Sequence, residues 1–289
     1  MRLSVVTDEL SADLETALEL ARSFGVDGIE LRGVGERRYP EVGEFWRARV
    51  PQLVREAGLP VAAISPGLFK IPYPEGPDGD TRILRWEDAM VFRRTRDAEA
   101  LLRHHLESLL PAAIDAAVQL GSPTIVAFSF DRPPGPSGRA PEAVVDALRE
   151  AARRVGQAGL TLAIEVEHIC WGDTASHTAD LVRRVAEPAL GINWDPANAF
   201  RGGDDRPYPD GYAHVRDVVR HVHFKDAAVD MTSGERRFTF DGVIDWSGQI
   251  DALGRDGYTG FVSVESHARP KVELTRRYIE RLRTLGAAR

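Results

Sequence analysis

Eight short runs rich in apolar and β-branched residues recur along the chain, and each is followed by a polar turn and a helical pattern. Strands that alternate with helices form parallel sheets joined by right-handed crossovers. Eight such units in one chain favour a closed (β/α)8 barrel over an open doubly wound sheet. We therefore predict one α/β domain, a TIM barrel covering residues 1–289. The predicted strands are Leu3–Val6, Gly28–Leu31, Pro60–Ile64, Thr124–Phe128, Leu160–Val166, Ala189–Asn193, His221–Phe224 and Phe261–Glu265.

Between these runs, apolar residues recur at spacings of three and four, which is typical of helices that pack on one face. The predicted helices are Leu14–Phe24, Glu44–Ala57, Ala98–Leu120, Pro141–Ala158, Thr178–Ala186, Tyr212–Val219 and Trp246–Leu253.

Three connections that follow strands are too long for simple turns: Ser65–Arg94, Asn198–Pro209 and Lys225–Asp245. In a barrel they would be long βα loops on the C-terminal face, where barrel enzymes have their active sites. The first connection is rich in Pro and Gly. Both a lid over a pocket and a disordered surface loop are consistent with it.

Composition limits the partners that this chain is expected to have. It contains 37 Lys and Arg against 44 Asp and Glu, a net charge of −7, which argues against affinity for nucleic-acid phosphates. No apolar run approaches the roughly 18 to 20 residues of a membrane span. A single cysteine, Cys170, cannot form an internal disulfide, and Met1–Leu10 lacks the apolar stretch of a signal peptide. We expect a cytoplasmic protein without nucleic-acid or membrane partners.

Acidic and imidazole side chains stand at the ends of the last four predicted strands. Carboxylates crowded at one barrel mouth repel one another and are costly to desolvate, and a divalent cation removes both costs. A set of two Glu, one Asp and one His suits Mn, Mg, Co or Zn. Side chains alternate along a strand, so residues two positions apart point to the same face. Alternation alone therefore does not decide which of two such residues is the ligand. The candidates are Glu165 or Glu167, Asp195, His221 or His223, and Glu265, with His267 on the face of Glu265.

Four segments give the chain a resemblance to the xylose-isomerase-like barrel superfamily, in its sugar phosphate isomerase/epimerase branch. They are Ile164-Glu165, Trp194-Asp195-Pro196, His221–Asp226 and Gly260–Glu265. The resemblance covers nearly the whole chain. The branch includes ketose 3-epimerases, hydroxypyruvate isomerase, and the inosose isomerases and dehydratases.

The resemblance implies one divalent metal ion held by Glu165, Asp195, His223 and Glu265. It also implies that Glu165 and Glu265 are the catalytic acid/base pair on opposite faces of a bound sugar. Glu165 is preferred to Glu167 because the family's Glu directly follows the apolar strand. His223 is preferred to His221 because the family's ligand precedes an apolar–Lys–Asp sequence.

The activity implied by this resemblance is that of a metal-dependent isomerase or epimerase. Its substrate would be a keto sugar or related polyol, phosphorylated or not, and the reaction would transfer a proton through an enediolate. Loss of a β-hydroxyl would share the first step, so a carbon–oxygen lyase such as an inosose or keto-sugar dehydratase is the alternative. Two departures weaken the assignment to the ketose 3-epimerases. Asn198 stands where those enzymes tend to carry a substrate-binding His, and no Arg follows His223 at the expected interval.

Two further functions within reach of this fold are less consistent with the sequence. An apurinic-site endonuclease would need more ligands and a basic groove than 8 His and a charge of −7 suggest. A metal-free barrel that only binds sugars is the other, and metal analysis of the purified protein would distinguish it. Oligomeric state is left open, with a homodimer as the state that barrels of this size often adopt.

Several polar residues close to the predicted ligands are candidates for binding the substrate. They are His168, Asn198, Lys225, Asp226 and His267. Lys225 and Asp226 are also consistent with a simple ion pair at a strand end. Glu30 and Arg32, in the second unit, are predicted to form a structural ion pair.

Overall fold

Within the residues that the computed structural model describes (1–73, 98–133, 135 and 137–286), eight parallel strands close into a barrel. Each strand pairs with the next in chain order, and the last strand pairs with the first, with Ser4 opposite Ser263. This topology confirms the predicted (β/α)8 barrel. The strands are β1 (Arg2–Val6), β2 (Gly28–Leu31), β3 (Val61–Leu68), β4 (Thr124–Ala127), β5 (Thr161–Glu165), β6 (Leu190–Trp194), β7 (Val219–Phe224) and β8 (Phe261–Val264).

Helices follow the strands and bury their apolar faces against the barrel. Several begin at a side chain that accepts a hydrogen bond from the first turn, as Asp13 does from the Thr16 amide and Thr174 from the His177 amide. The helices are α1 (Leu14–Ser23), α2 (Glu44–Ala57), α3 (Ala98–His104), α4 (Leu110–Leu120), α5 (Glu142–Gln157), α6 (Ala175–Val185), α7 (Pro196–Gly202), α8 (Tyr212–Val215), α9 (Trp246–Arg255) and α10 (Lys271–Thr284). One π-helical turn, His105–Leu109, joins α3 to α4.

The long connections differ from their predictions in ways that the local sequence explains. The segment predicted as a loop from Asn198 begins inside α7, because the Asp195 carboxylate caps the helix and Pro196 occupies its first turn. The helix predicted over Tyr212–Val219 is only α8 followed by a 3-10 turn, Arg216–Val218.

The connection after β7 contains an antiparallel ribbon, Ala227–Val229 paired with Arg236–Phe238. A second ribbon, Gly33–Val34 paired with Arg37–Arg38, follows β2. Of the predicted loop Ser65–Arg94, the first four residues belong to β3, and residues 74–94 lie outside the described residues. In the part of the chain that is described, no helix is both long and apolar enough to cross a membrane.

Candidate metal centre

The four residues predicted as metal ligands come together at the C-terminal mouth of the barrel. Glu165 ends β5, Asp195 follows β6, His223 lies in β7 and Glu265 follows β8. All four are buried, and one potential ligand atom from each lies within 4.8 Å of the others. The His223 Nδ1 atom is 3.3 Å from Glu165 Oε1 and 3.2 Å from Glu265 Oε2.

The two alternative residues have other partners. Glu167 Oε2 lies 3.5 Å from the Lys70 ammonium, and Glu167 Oε1 lies 2.7 Å from His168 Nδ1. The His221 Nε2 atom lies 2.8 Å from Glu30 Oε2. The described structure therefore groups Glu165 and His223 with the other two candidates.

A buried ammonium lies against this carboxylate cluster. The Lys225 Nζ atom is 2.6 Å from Asp195 Oδ2 and 3.7 Å from Glu165 Oε1, and it donates a hydrogen bond to Glu265. Its positive charge offsets part of the cost of burying three carboxylates. Burial nevertheless raises the pKa of Asp195 to about 6, against the opposing effect of Lys225.

Glu30 has a different role from the predicted pair with Arg32, and that prediction was wrong. Both Glu30 oxygens lie 3.1 Å from His223 Nε2, and Ser65 donates a hydrogen bond to the same carboxylate. Strand β2 ends at Leu31, so Arg32 leaves the sheet, and its guanidinium reaches the carboxylates of Asp8, Glu9 and Glu265.

The environment of Glu30 keeps it charged. Burial alone would raise the pKa of Glu30, but the imidazoles of His223 and His221 hold it well below its usual range. A carboxylate that accepts from Nε2 of a histidine leaves Nδ1 of the same ring available to a cation. In this structure the Nδ1 atom of His223 faces the carboxylate cluster.

A cavity of about 450 Å³ opens beside the cluster. Glu165, His223 and Glu265 form part of its wall, together with Ser65 and the aromatic rings of Phe128 and Phe238. Basic side chains make up much of the remainder. They are Arg32, Arg38, Lys70 and Arg201.

Of the residues predicted to bind substrate, His168, Asn198 and His267 line this cavity. The Asn198 amide nitrogen donates to Glu165 Oε1 at 3.0 Å and to Asp195 Oδ2 at 3.3 Å, while its buried Oδ1 has no hydrogen-bond partner among the described residues. Asn198 therefore orients two of the cluster's carboxylates as well as facing the cavity.

Asp226 lies outside the cavity wall, and its carboxylate is already engaged. One oxygen accepts from the amides of Ala227 and Ile244, and the other accepts from Arg281. These bonds hold the connection after β7 in place. Its placement gives no support to the predicted contact with substrate.

Sequence reasoning did not single out Lys70, Phe128 or Phe238, all of which line the cavity. Lys70 lies close to the observed end of β3 at Leu68, but the predicted strand ends at Ile64, so the strand-end rule did not reach it. Phe238 belongs to a ribbon within a long connection, and no local pattern indicated that the ribbon folds over the barrel mouth.

The chain belongs to the xylose isomerase-like TIM barrel family, whose sequence profile matches residues 18–285. This confirms the resemblance drawn from its motifs. No curated protein matches the sequence significantly.

Solved structures with this fold cover almost the whole chain at low identity. D-allulose 3-epimerase from Methylomonas sp. is 16% identical with a TM-score of 0.72, over 99% of this chain and 98% of that one. The probable 3-DHS dehydratase of Bacillus anthracis is 17% identical with a TM-score of 0.66, over 98% and 99%. A xylose isomerase-like TIM barrel protein from Mycobacterium smegmatis, in complex with magnesium, is 16% identical with a TM-score of 0.67, over 99% and 97%.

The donor set fits a divalent cation on its own chemistry. Three buried carboxylates and an imidazole nitrogen converge, and oxygen-rich sets with one imidazole suit Mg, Mn, Co or Zn. The lone Oδ1 of Asn198 adds a further oxygen acceptor beside them.

Proposed function

We propose that this protein is a divalent-metal-dependent isomerase or epimerase that acts on a keto sugar or related polyol through an enediolate. The observation that carries the proposal is the convergence of Glu165, Asp195, His223 and Glu265 beside a polar cavity at the barrel mouth. The fold similarity to a D-allulose 3-epimerase supports the substrate class.

The four residues would hold one divalent ion, which when bound polarises a substrate carbonyl and acidifies the neighbouring C–H. Glu165 and Glu265 come from strands three positions apart around the barrel, so they approach a bound sugar from different sides. One carboxylate would remove the proton from carbon, and the other would return a proton to the same or the neighbouring carbon. Phe128 and Phe238 would limit access of water to the reacting carbon.

A carbon–oxygen lyase is the second candidate. It is favoured by Asn198 at the position of a substrate-binding His in ketose 3-epimerases, and by the fold similarity to a probable 3-DHS dehydratase. Mass analysis of the product separates the two candidates, because dehydration loses water and isomerisation does not.

The test is to measure metal content, turnover and solvent deuterium incorporation with keto sugars and inososes found by screening. Glu165→Gln and Glu265→Gln should each lose about 10² to 10⁴ in turnover, a typical value for a general acid or base, while they retain most of the metal. Gln keeps one coordinating oxygen but cannot carry the proton. In Asp195→Asn, the loss of activity should follow the loss of metal.

Glu273→Gln, an exposed substitution on α10, is the matched control and should behave as wild type. A Glu265→Gln enzyme with near-native turnover would contradict the proton-transfer role. A protein that takes up no divalent metal would overturn the proposed function as a whole.

A further inference from the structure

We propose that the natural substrate carries an anionic group, a carboxylate or a phosphate, bound by Lys70 and Arg38 at the part of the cavity wall formed by the connections after β2 and β3. This inference rests on the proposed function and extends it from a reaction to a class of substrate. The observations that carry it are the state of the Lys70 ammonium and the backbone that holds it.

Lys70 is a buried cation whose ammonium makes, among the described residues, one long ionic contact and lies over an aromatic ring. It is 8% exposed and lines the cavity. Its ammonium lies over the Phe128 ring, 4.5 Å from the ring centroid, and its nearest carboxylate oxygen, on Glu167, is 3.5 Å away. That separation is too long for a strong ionic hydrogen bond. An ammonium has three N–H donors, and burying these donors without acceptors is costly. A ligand in the cavity can supply the acceptors.

The backbone around Lys70 is held in a conformation that side chains rarely adopt. Phe69 has a φ of +61°, and its amide donates to His105 Nδ1 at 2.8 Å. The Lys70 amide closes the turn by donating to the Gly67 carbonyl at 3.0 Å. Left-handed non-glycine residues persist only where their surroundings fix them, and they concentrate at functional sites. The turn therefore fixes the backbone position from which the Lys70 side chain extends.

The Arg38 side chain packs against the same turn. Gly67 has a φ of +80°, and a Cβ atom there would lie 3.1 Å from Arg38 Cδ and 3.4 Å from Arg38 Nη1. Glycine thus leaves room for the Arg38 side chain to lie against the end of β3. Arg38 comes from the ribbon after β2 and also lines the cavity. Two cations at one turn, one with a planar donor fork, suit the oxygens of a carboxylate or phosphate.

Charge distribution fixes the orientation of such a substrate. The carboxylates of Glu165, Asp195 and Glu265 would repel a second anion at the metal ligands. Among the described residues, the carboxylate that pairs with Lys70 is that of Glu167, which also contacts His168. The carbonyl end of the substrate would face the metal ligands, and the anionic end would face Lys70 and Arg38.

The test compares binding of matched sugars to the metal-loaded protein by titration calorimetry. D-ribulose is paired with D-ribulose 5-phosphate, and D-fructose with D-fructuronate, in which the carboxylate lies at the end of the chain distant from the carbonyl, so that the two arms separate phosphate from carboxylate. In wild type, the charged member of one pair should bind at least about tenfold more tightly than its neutral partner, the value of one charge-assisted hydrogen bond.

Lys70→Met and Arg38→Gln should each remove about tenfold of the affinity for that charged sugar and leave the neutral sugar unchanged. Lys70→Arg should keep most of the preference. Arg37→Gln, which removes the same charge from the exposed neighbouring position, should have no effect. Equal binding of charged and neutral sugars, no binding of any of the four, or a charge preference that survives both substitutions would overturn the proposal.

Failure of this inference is distinguishable from failure of the proposed function. Metal content and exchange of solvent deuterium into a neutral keto sugar report on the metal ligands and the two catalytic glutamates alone. If these succeed while the charged sugars show no advantage, only the anionic substrate is wrong.

Discussion

At the scale of single residues, Glu30 determines which atom of His223 faces the cavity. Its carboxylate lies against Nε2, and Nδ1 is left among Glu165, Asp195 and Glu265. Carboxylates in this position hold the ring of a metal-binding histidine and increase its basicity. Glu30 is therefore a positioning residue that supports the proposed metal ligands without joining them.

Glu30→Gln should weaken metal binding by about 10- to 100-fold, the usual effect of losing such a partner. The neutral amide cannot match the charge of the carboxylate beside His221 and His223. Competition with a fluorescent chelator measures the dissociation constant directly. Glu19→Gln, at an exposed position of α1, serves as the control. Unchanged metal affinity in the Glu30 variant would show that His223 is held by other contacts.

Some contacts of single residues could be predicted from the sequence and others could not. The cluster of four could be predicted because each member stands at a strand end, and a barrel brings strand ends together. The partner of Glu30 could not be predicted, because His221 lies 191 positions away and nothing near Glu30 indicates it. Arg32, two positions from Glu30, is the nearer basic residue along the chain, and its side chain pairs elsewhere.

At the scale of elements, the π-helical turn between α3 and α4 supports the end of β3. It carries His105, whose Nδ1 accepts from the Phe69 amide and whose ring stacks near Phe69. The ring is neutral in this position, because burial and the neighbouring His104 lower the pKa of His105 to about 3. Protonation of Nδ1 would break the bond to Phe69.

This buried imidazole predicts a pH-dependent stability. In the unfolded chain a histidine gains its proton near pH 6.5, and in the folded chain His105 does so only near pH 3. Between these values the unfolded state binds more protons, so folding free energy is lost as pH falls. At pH 5 the loss relative to pH 7 should be about 2 kcal/mol.

Urea unfolding of wild type and His105→Asn at pH 7 and pH 5 measures this effect. Asn offers a hydrogen-bond acceptor but does not titrate. The free energy of unfolding of His105→Asn should therefore fall by about 2 kcal/mol less than that of wild type between pH 7 and pH 5. His214→Asn, on an exposed face of α8, should follow wild type. Equal pH dependence of wild type and His105→Asn would contradict the assignment.

Elements with their own periodic pattern were predicted well, whereas those set by tertiary contacts were not. All eight predicted strands fall on the observed ones within two residues at the starts and four at the ends. The ribbon ending at Phe238 is held instead by contacts with other elements. Arg201 of α7 lies over the Phe238 ring at 4.2 Å, and the His267 ring stacks on it at 5.2 Å.

At the scale of the whole molecule, neighbouring βα units pack so closely that single atoms matter. Gly202 ends α7, and a methyl group there would overlap the carbonyl oxygen of Asp173, in the connection after β5. The helix so positioned carries Asn198 and Arg201 to the cavity. Because this contact involves backbone atoms of both segments, no flexible side chain can move to relieve the overlap.

Gly202→Ala should therefore lower the free energy of unfolding by about 1 to 3 kcal/mol, the range for an overpacked contact. Gly254→Ala is the matched control, because Gly254 lies inside α9 with open space around it and should gain about 0.4 to 1 kcal/mol. Chemical denaturation of both variants gives the comparison. A Gly202 variant as stable as wild type would mean that α7 shifts without cost.

Closure of the barrel between β1 and β8 fixes when the site can come into existence during synthesis. Glu265 is the last of the proposed ligands to leave the ribosome, and it contacts Arg32, whose other partners Asp8 and Glu9 emerge first. Until β8 pairs with β1, Asp8, Glu9 and Arg32 lack the contact with Glu265 that completes this group of ion pairs. The proposed set of four ligands is therefore complete only after β8 has been synthesised, and a chain that ended before β8 would leave the barrel open and lack Glu265.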